Sequence, residues 1–352
     1  MQRCKCALLL CTIALLIAYK LSVRWGLAQD ARMASLSKKF SLAATAKEQL
    51  QNFCKEPHPF GSKRQKELAK WLLEESRPFA SGAQLQQFHS LTPNPKNFPK
   101  VLKGEALTLQ RQGQNILASV SMAKKPQCYV VVGSHYDSKY LKDQWSVGAN
   151  DSGSTSILLL HIGKYLNQIQ TTSSSFQCDP LLVWFDGEEA VLPNWDDGER
   201  RYIKKIHDNT YGSRYFTSQL QPCGKHQCFT YSSKVGPLPI RSMVLLDMLG
   251  SASIRITDDL NSSLNLRKLL KASAKLLNDP HILSQNAKSI LDDHIPFLQA
   301  GIPSLNIIDF ENLHFWHKPS DKPSHIHLPS LNRAGRLSTL VLLQLLSKPQ
   351  DF

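Results

Sequence analysis

No pair of cysteines in this 352-residue chain has a second pair of ligands nearby, which excludes a zinc knuckle. Three of the eight cysteines, Cys4, Cys6 and Cys11, belong to the extreme N-terminus. The other five, Cys54, Cys128, Cys178, Cys223 and Cys228, are an odd number, so at least one thiol stays free or pairs elsewhere. Cys223 and Cys228 flank a short Gly-containing loop and are expected to form a local disulfide. No internal repeat and no nucleic-acid-binding motif is present. There is no basic block either: 42 Lys and Arg against 28 Asp and Glu give a net charge of +14, but the cations are scattered. A scattered excess describes a basic solvated surface, and no nucleic-acid partner is expected. With 42% hydrophobic and 20% charged residues the chain is globular, not disordered.

The apolar run from Ala7 to Ala18 is too short for a comfortable membrane span. Arg3 and Lys5 precede it, and the small residues Gly26 and Ala28 follow. That pattern fits an export signal cut after Ala28; counted through Val23, it fits an uncleaved anchor. Either way residues 1–28 place the rest outside the cytosol, secreted, periplasmic or in the secretory-pathway lumen. Membrane contact is expected only through that segment. Residues 29–42 read as a linker and 43–352 as one folded domain, expected to be a monomer.

Along the domain, Ser35 to Phe79 reads as helical with a break at Pro57–Gly61, and Arg64 to Glu75 places Leu68, Trp71 and Leu72 on one face. Strands are expected at Phe88–Thr92, Glu105–Leu109, Asn115–Ser121, Tyr129–Val132, Leu181–Phe185, Ile240–Leu246 and Ile302–Ile308. Helices are expected at Thr155–Leu166, Tyr211–Leu220, Leu264–Leu277 and Ser330–Leu346, with a long charged loop from Leu192 to Thr210. This alternation predicts a single α/β domain: a central mixed, mainly parallel sheet flanked by helices.

In such sheets ligands bind beyond the carboxyl ends of the strands. His135 with Asp137, Glu188 with Glu189, and Asp247 directly follow predicted strands; Asp151 opens a helix, and His317 lies in a loop after the last strand. One edge therefore collects imidazole and carboxylate groups without thiolate, a donor set that suits a catalytic zinc with an open position. Adjacent residues leaving a strand point different ways, so Glu188 and Glu189 should divide the work, one on a metal and one on a proton.

His135-x-Asp137, Asn150-Asp151, Glu188-Glu189, Asp247 and His317 resemble the M28 zinc aminopeptidase family, with its phosphorylase/hydrolase-like α/β fold. The resemblance covers roughly Ala43 to Leu346. Longer words, His135 to Tyr140, Phe185 to Ala190, Tyr211 to Arg214, Asp292 to Leu298 and Trp316-His317, resemble the glutaminyl-peptide cyclotransferase branch, which converts N-terminal glutamine to pyroglutamate. That resemblance implies Asp151, Glu189 and His317 as ligands of one zinc ion, with Glu188 as general acid/base. It implies Asp247 and Asp292 in a network with Glu188, Trp195 and Trp316 as walls of an apolar pocket, and peptide or protein N-termini as substrates.

The rival is an aminopeptidase with two zinc ions. There His135 and Asp247 complete a second site, Asp151 bridges, and a metal-bound hydroxide attacks the peptide. Asn150 to Ser154 and His317 to Asp321 are similar to these hydrolytic members. Ser134 and Ser156 stand where the animal cyclases carry a cysteine pair, Leu291 replaces a different side chain, and the loop after Trp195 is longer. A non-catalytic binding ectodomain would have lost Glu188, Glu189 or His317, and none is lost.

Overall fold

The computed structural model describes residues 27–97, 108–142, 144–169, 176–195, 207–232 and 236–347. The expected leader lies outside them apart from residues 27 and 28. So do residues 105–107 of the expected strand Glu105–Leu109 and most of the charged loop before Thr210.

The segment expected as a linker is not one. Residues 27–38 form helix α1, and Met33 and Phe40, seven positions apart, are both fully buried in the main core. Met33 from within the helix and Phe40 from just beyond its end are both taken into the core, so the segment docks. Helices α2 (Ala46–Phe53) and α3 (Lys63–Ser76) follow, separated by the expected break. Ser62 caps α3 by accepting the Gln65 amide at 3.1 Å.

The sheet begins with a long antiparallel hairpin, β1 (Gly82–Pro93) and β2 (Thr108–Ser119). The sheet continues with β3 (Cys128–His135), β4 (Cys178–Phe185) and β7 (Pro237–Asp247), and with β10 (Ser304–Ile308), which pairs β7 alone. These four are parallel to one another, in the order β4-β3-β7-β10. β2 joins β4 antiparallel, and the small hairpin of β5 (Gln221–Cys223) and β6 (His226–Thr230) joins the start of β7 antiparallel. The sheet is thus mixed, as expected, with its parallel part in the centre. β8 (Ile256–Asp259) and β9 (Leu283–Lys288) form a separate parallel pair that the sequence pattern did not reveal.

Central strands are apolar on both faces because both are covered. Val130, Val132, Leu182, Trp184, Val244 and Leu246 face one core with α4 (Thr155–Ile169) and α8 (Leu328–Ser347). Val131, Leu181, Val183, Phe185 and Leu245 face the other, with Phe216 of α5 (Tyr211–Ser218) and Phe297 of α7 (His294–Gln299). α6 (Leu264–Leu276) packs beside α8 through buried Leu266 and Leu270.

Cys223 and Cys228 form the expected disulfide, and Cys54 is a buried free thiol. A second disulfide, Cys128–Cys178, joins registered partners on the neighbouring strands β3 and β4. Among the described residues no helix is long and apolar enough to cross a membrane.

Candidate metal centre and active-site cleft

The carboxyl ends of β3, β4 and β7 open onto a cleft of about 390 Å³. At its floor stand Asp151, Glu189 and His317, whose donor atoms all lie within 4.8 Å of one another. His317 Nε2 is 3.1 Å from Glu189 Oε1 and 3.4 Å from Asp151 Oδ2. Glu188, Asp247, Asp292, Trp195 and Trp316 also line the cleft, so the sequence-predicted residues gather there with one exception. His135 lies beneath, its Nε2 3.0 Å from Asp151 Oδ1, 3.5 Å from Asp247 Oδ1 and 3.9 Å from Glu188 Oε2.

The local chain explains why the two glutamates separate. After β4 the backbone turns at Gly187, which adopts φ +67° and whose Cβ, if it had one, would press on the Phe60 ring at 2.9 Å. Asp137 then accepts the Glu188 amide at 3.0 Å and the Glu189 amide at 3.3 Å, one with each oxygen. Both peptide units are pinned by one carboxylate, so the side chains diverge. Glu189 turns to His317 and to buried Lys139, whose Nζ lies 3.6 Å away and donates to the Ala190 carbonyl at 2.7 Å.

Asp151 is aimed by the loop that carries His317. Asp321, four residues on, accepts the backbone amides of Asn150 at 2.8 Å and Asp151 at 3.2 Å. Ser156 donates to the His135 carbonyl at 2.7 Å and Ser134 Oγ meets Thr155 Oγ1 at 2.9 Å, joining the end of β3 to the start of α4 by hydrogen bonds. Sequence reasoning gave Asp137, Lys139 and Asp321 no role. The signal for all three was their place inside quoted motif words, Asp137 and Lys139 in His135 to Tyr140 and Asp321 in His317 to Asp321.

Burial drives the electrostatics. It pushes the Glu188 carboxyl well above the ordinary range; His135 opposes this, and Asp292 and Glu189 add to it. Burial also raises Asp247, despite His135, and raises Asp292, where the Asp247 charge adds. For His317 burial acts downward, yet Glu189 and Asp151 outweigh it and lift the imidazole to about 10.

The donor chemistry fits a divalent cation. Asp151 Oδ2, both oxygens of Glu189 and Asp247 Oδ1 are buried without a hydrogen-bond partner. Buried acceptors without a donor are costly, and two carboxylates facing an imidazole are the hard and borderline ligands that zinc takes. The negative field of Glu189 and Asp151 that raises the His317 pKa is the field that would favour a cation, and a bound ion would take the place of the imidazole proton.

Residues 115–342 match the model of Peptidase family M28. The chain belongs to that family. Among its relatives, the Glutaminyl-peptide cyclotransferase of Drosophila melanogaster is 27% identical over 252 residues, covering 66% of this chain and 65% of that protein. The Glutaminyl-peptide cyclotransferase-like protein of Mus musculus is 26% identical over 238 residues, covering 62% and 57%. The chain thus spans under two thirds of the length of these relatives. A solved Acidobacteriales bacterium glutaminyl cyclase is 25% identical with a TM-score of 0.64, covering 88% of this chain and 97% of that one. A Zn-dependent exopeptidase from Parabacteroides distasonis shares the fold at 18% identity, with a TM-score of 0.65, covering 88% and 99%.

Proposed function

We propose that this M28 protein is a zinc-dependent glutaminyl-peptide cyclotransferase. It closes the N-terminal glutamine of peptides or proteins to pyroglutamate and releases ammonia. The observation that carries the reading is the position of Glu188: in the cleft beside the Asp151, Glu189 and His317 trio, outside it, and facing a walled pocket large enough for one side chain. The names of the fly and mouse relatives support it.

Asp151, Glu189 and His317 hold the ion. Zinc, when bound, supplies a Lewis acid for the side-chain amide carbonyl. Trp195 and Trp316 wall the pocket for the aliphatic stem, and Trp316 stacks on His317 with ring centroids 4.0 Å apart. Glu188 accepts a proton from the substrate's α-amine as it attacks the amide carbon, then returns one to the departing ammonia. Asp247 and Asp292 keep negative charge near that carboxyl, so it can hold a proton between the two steps.

His135 serves as a buried hydrogen-bonding support in this reading. Its Nδ1 meets the Asp137 carbonyl at 3.1 Å and its Nε2 meets Asp151 at 3.0 Å. One observation favours the rival aminopeptidase: His135, Asp151 and Asp247 also lie within 4.8 Å of one another and could take a second ion. Product analysis with Gln-initiated and Leu-initiated peptides tests the choice. Ammonia release with peptide bonds intact and about one zinc per chain is expected. Free amino acid release with two zinc ions per chain would overturn the cyclase reading.

A further inference from the structure

Asp292 sits on an irregular turn between β9 and α7, yet its position facing the cleft is held from behind by a carboxylate that never reaches the cleft. Asp259, the last residue of β8, is 2% exposed. Its Oδ1 accepts the backbone amide of Ile290 at 3.0 Å. Its Oδ2 lies 3.0 Å from Nε2 of His294, which is also fully buried. Ile290 is two residues before Asp292 and His294 two residues after it. One carboxylate therefore grips the chain on both sides of the residue that faces the cleft.

A second path closes the frame. Asp259 Oδ2 also accepts the Ser262 hydroxyl at 2.7 Å, and Ser262 Oγ accepts the Asn306 amide at 2.8 Å. The Asn306 side chain then donates to Asp292 Oδ2 at 2.9 Å. Asp292 Oδ1 is occupied by the Asp293 amide at 2.7 Å. Burying a carboxylate is expensive unless it is fully hydrogen-bonded, and Asp259 has contacts on both oxygens. Apart from the local Asn261 amide, which Oδ1 accepts at 3.1 Å, they lead to the segment that carries Asp292 or to the residue that holds its side chain.

We propose that Asp259 is a positioning residue for the proton-transfer chemistry: with His294 and Ser262 it fixes where Asp292 stands relative to Glu188. This rests on the cyclisation reading, and the experiment separates the two. A double-mutant cycle combines Asp259→Asn with Asp292→Asn in the full chain, assayed on a Gln-initiated peptide. Asp259→Asn is expected to lower kcat about 10- to 100-fold with KM unchanged, the usual size of an indirect supporting effect. In the Asp292→Asn background the same change should cost less than about 2-fold, because a residue acting through Asp292 has nothing left to position.

Backbone amide exchange at Ile290 should quicken in Asp259→Asn whatever the reaction is. If wild-type chain releases no ammonia, the cyclisation reading fails while this exchange still tests the clamp. Should Asp259→Asn not fold, Ser262→Ala replaces it; losing one hydrogen bond in the frame should lower kcat about 2- to 10-fold, again only when Asp292 is intact. Unchanged Ile290 exchange in Asp259→Asn, or losses that multiply in full in both backgrounds, would overturn the proposal.

Discussion

His161, on α4 far from the cleft, should make the fold acid-labile over a defined pH window. Its tautomer is fixed by a chain of partners. Glu75 accepts the Gln49 side-chain N–H at 2.7 Å, which turns Gln49 Oε1 toward the imidazole. His161 Nε2–H then donates to that oxygen at 2.9 Å, leaving Nδ1 to accept the Ala43 amide at 3.4 Å. A proton on Nδ1 would face an N–H. Burial, helped by the Lys164 charge and opposed by Glu75, lowers the pKa from 6.5 to about 4. The unfolded chain therefore binds the proton more readily, so stability is full above pH 6.5 and falls as pH drops toward 4. The gap of 6.5 − 4 at 1.36 kcal/mol per unit amounts to about 3 kcal/mol, a large share of a typical domain's stability. Urea unfolding of wild type and His161→Gln at pH 7 and pH 4 reads this directly. The non-titrating variant should gain about 3 kcal/mol on wild type between the two. A difference that stays constant across that range would refute the reasoning.

Glu189→Ala or His317→Ala should abolish zinc binding in elemental analysis, since each removes one of three protein ligands. Glu188→Gln should retain the metal while kcat falls about 10²- to 10⁴-fold; the reverse pattern would exchange the roles of the two glutamates. Gly212→Ala should destabilise by at least about 2 kcal/mol in urea unfolding, because its Cβ would lie 2.3 Å from Asn115 Oδ1 and 2.6 Å from the Asp186 carbonyl. A neutral result there would mean that the start of α5 does not buttress the turn after β4. Replacing Cys128 and Cys178 by Ser should cost about 2–4 kcal/mol, as the bridge closes a long loop with a sequence separation of 50; an unchanged urea midpoint would count against it.

What could be read from the chain were features set by local periodicity. The runs Tyr129–Val132, Leu181–Phe185 and Ile240–Leu246 announce buried parallel strands, and one topological rule then brings their following residues together. What escaped needs pairing information. The Cys128–Cys178 bridge follows from β3 and β4 lying in register, which a spacing along the chain does not encode. Asp137 and Asp321 act on the backbone of neighbours distant in sequence, and nothing in their residue type distinguishes them from ordinary loop acids. Residues 29–42, expected as a linker, carry Met33, Leu36 and Phe40, which pack into or against the main core, a long-range contact that no local pattern of the segment specifies.

The cleft also shows how a fold can hold opposed demands in one place. Asp137, Asp151, Glu188, Glu189, Asp247, Asp292 and Asp293 are all buried, against His135, Lys139 and His317 as the cations around them. So much buried negative charge costs several kcal/mol per unpaired ion, and the chain answers it in three ways. Some carboxyls are saturated by backbone amides, as Asp137 is by Glu188 and Glu189. Glu188 above all is pushed by burial toward the protonated form, with the Asp292 charge adding to the shift. The remainder, Asp151 Oδ2 and both oxygens of Glu189, receive neither amide nor hydroxyl and sit together beside His317. Buried oxygens left without a donor and gathered at one point mark where a cation would fit, and Asp247 Oδ1 beside them is left in the same way. In the proposed function Glu188 stays outside the ligand set, and a carboxyl that is both close to the cation site and able to carry a proton is what cyclisation with an internal amine requires.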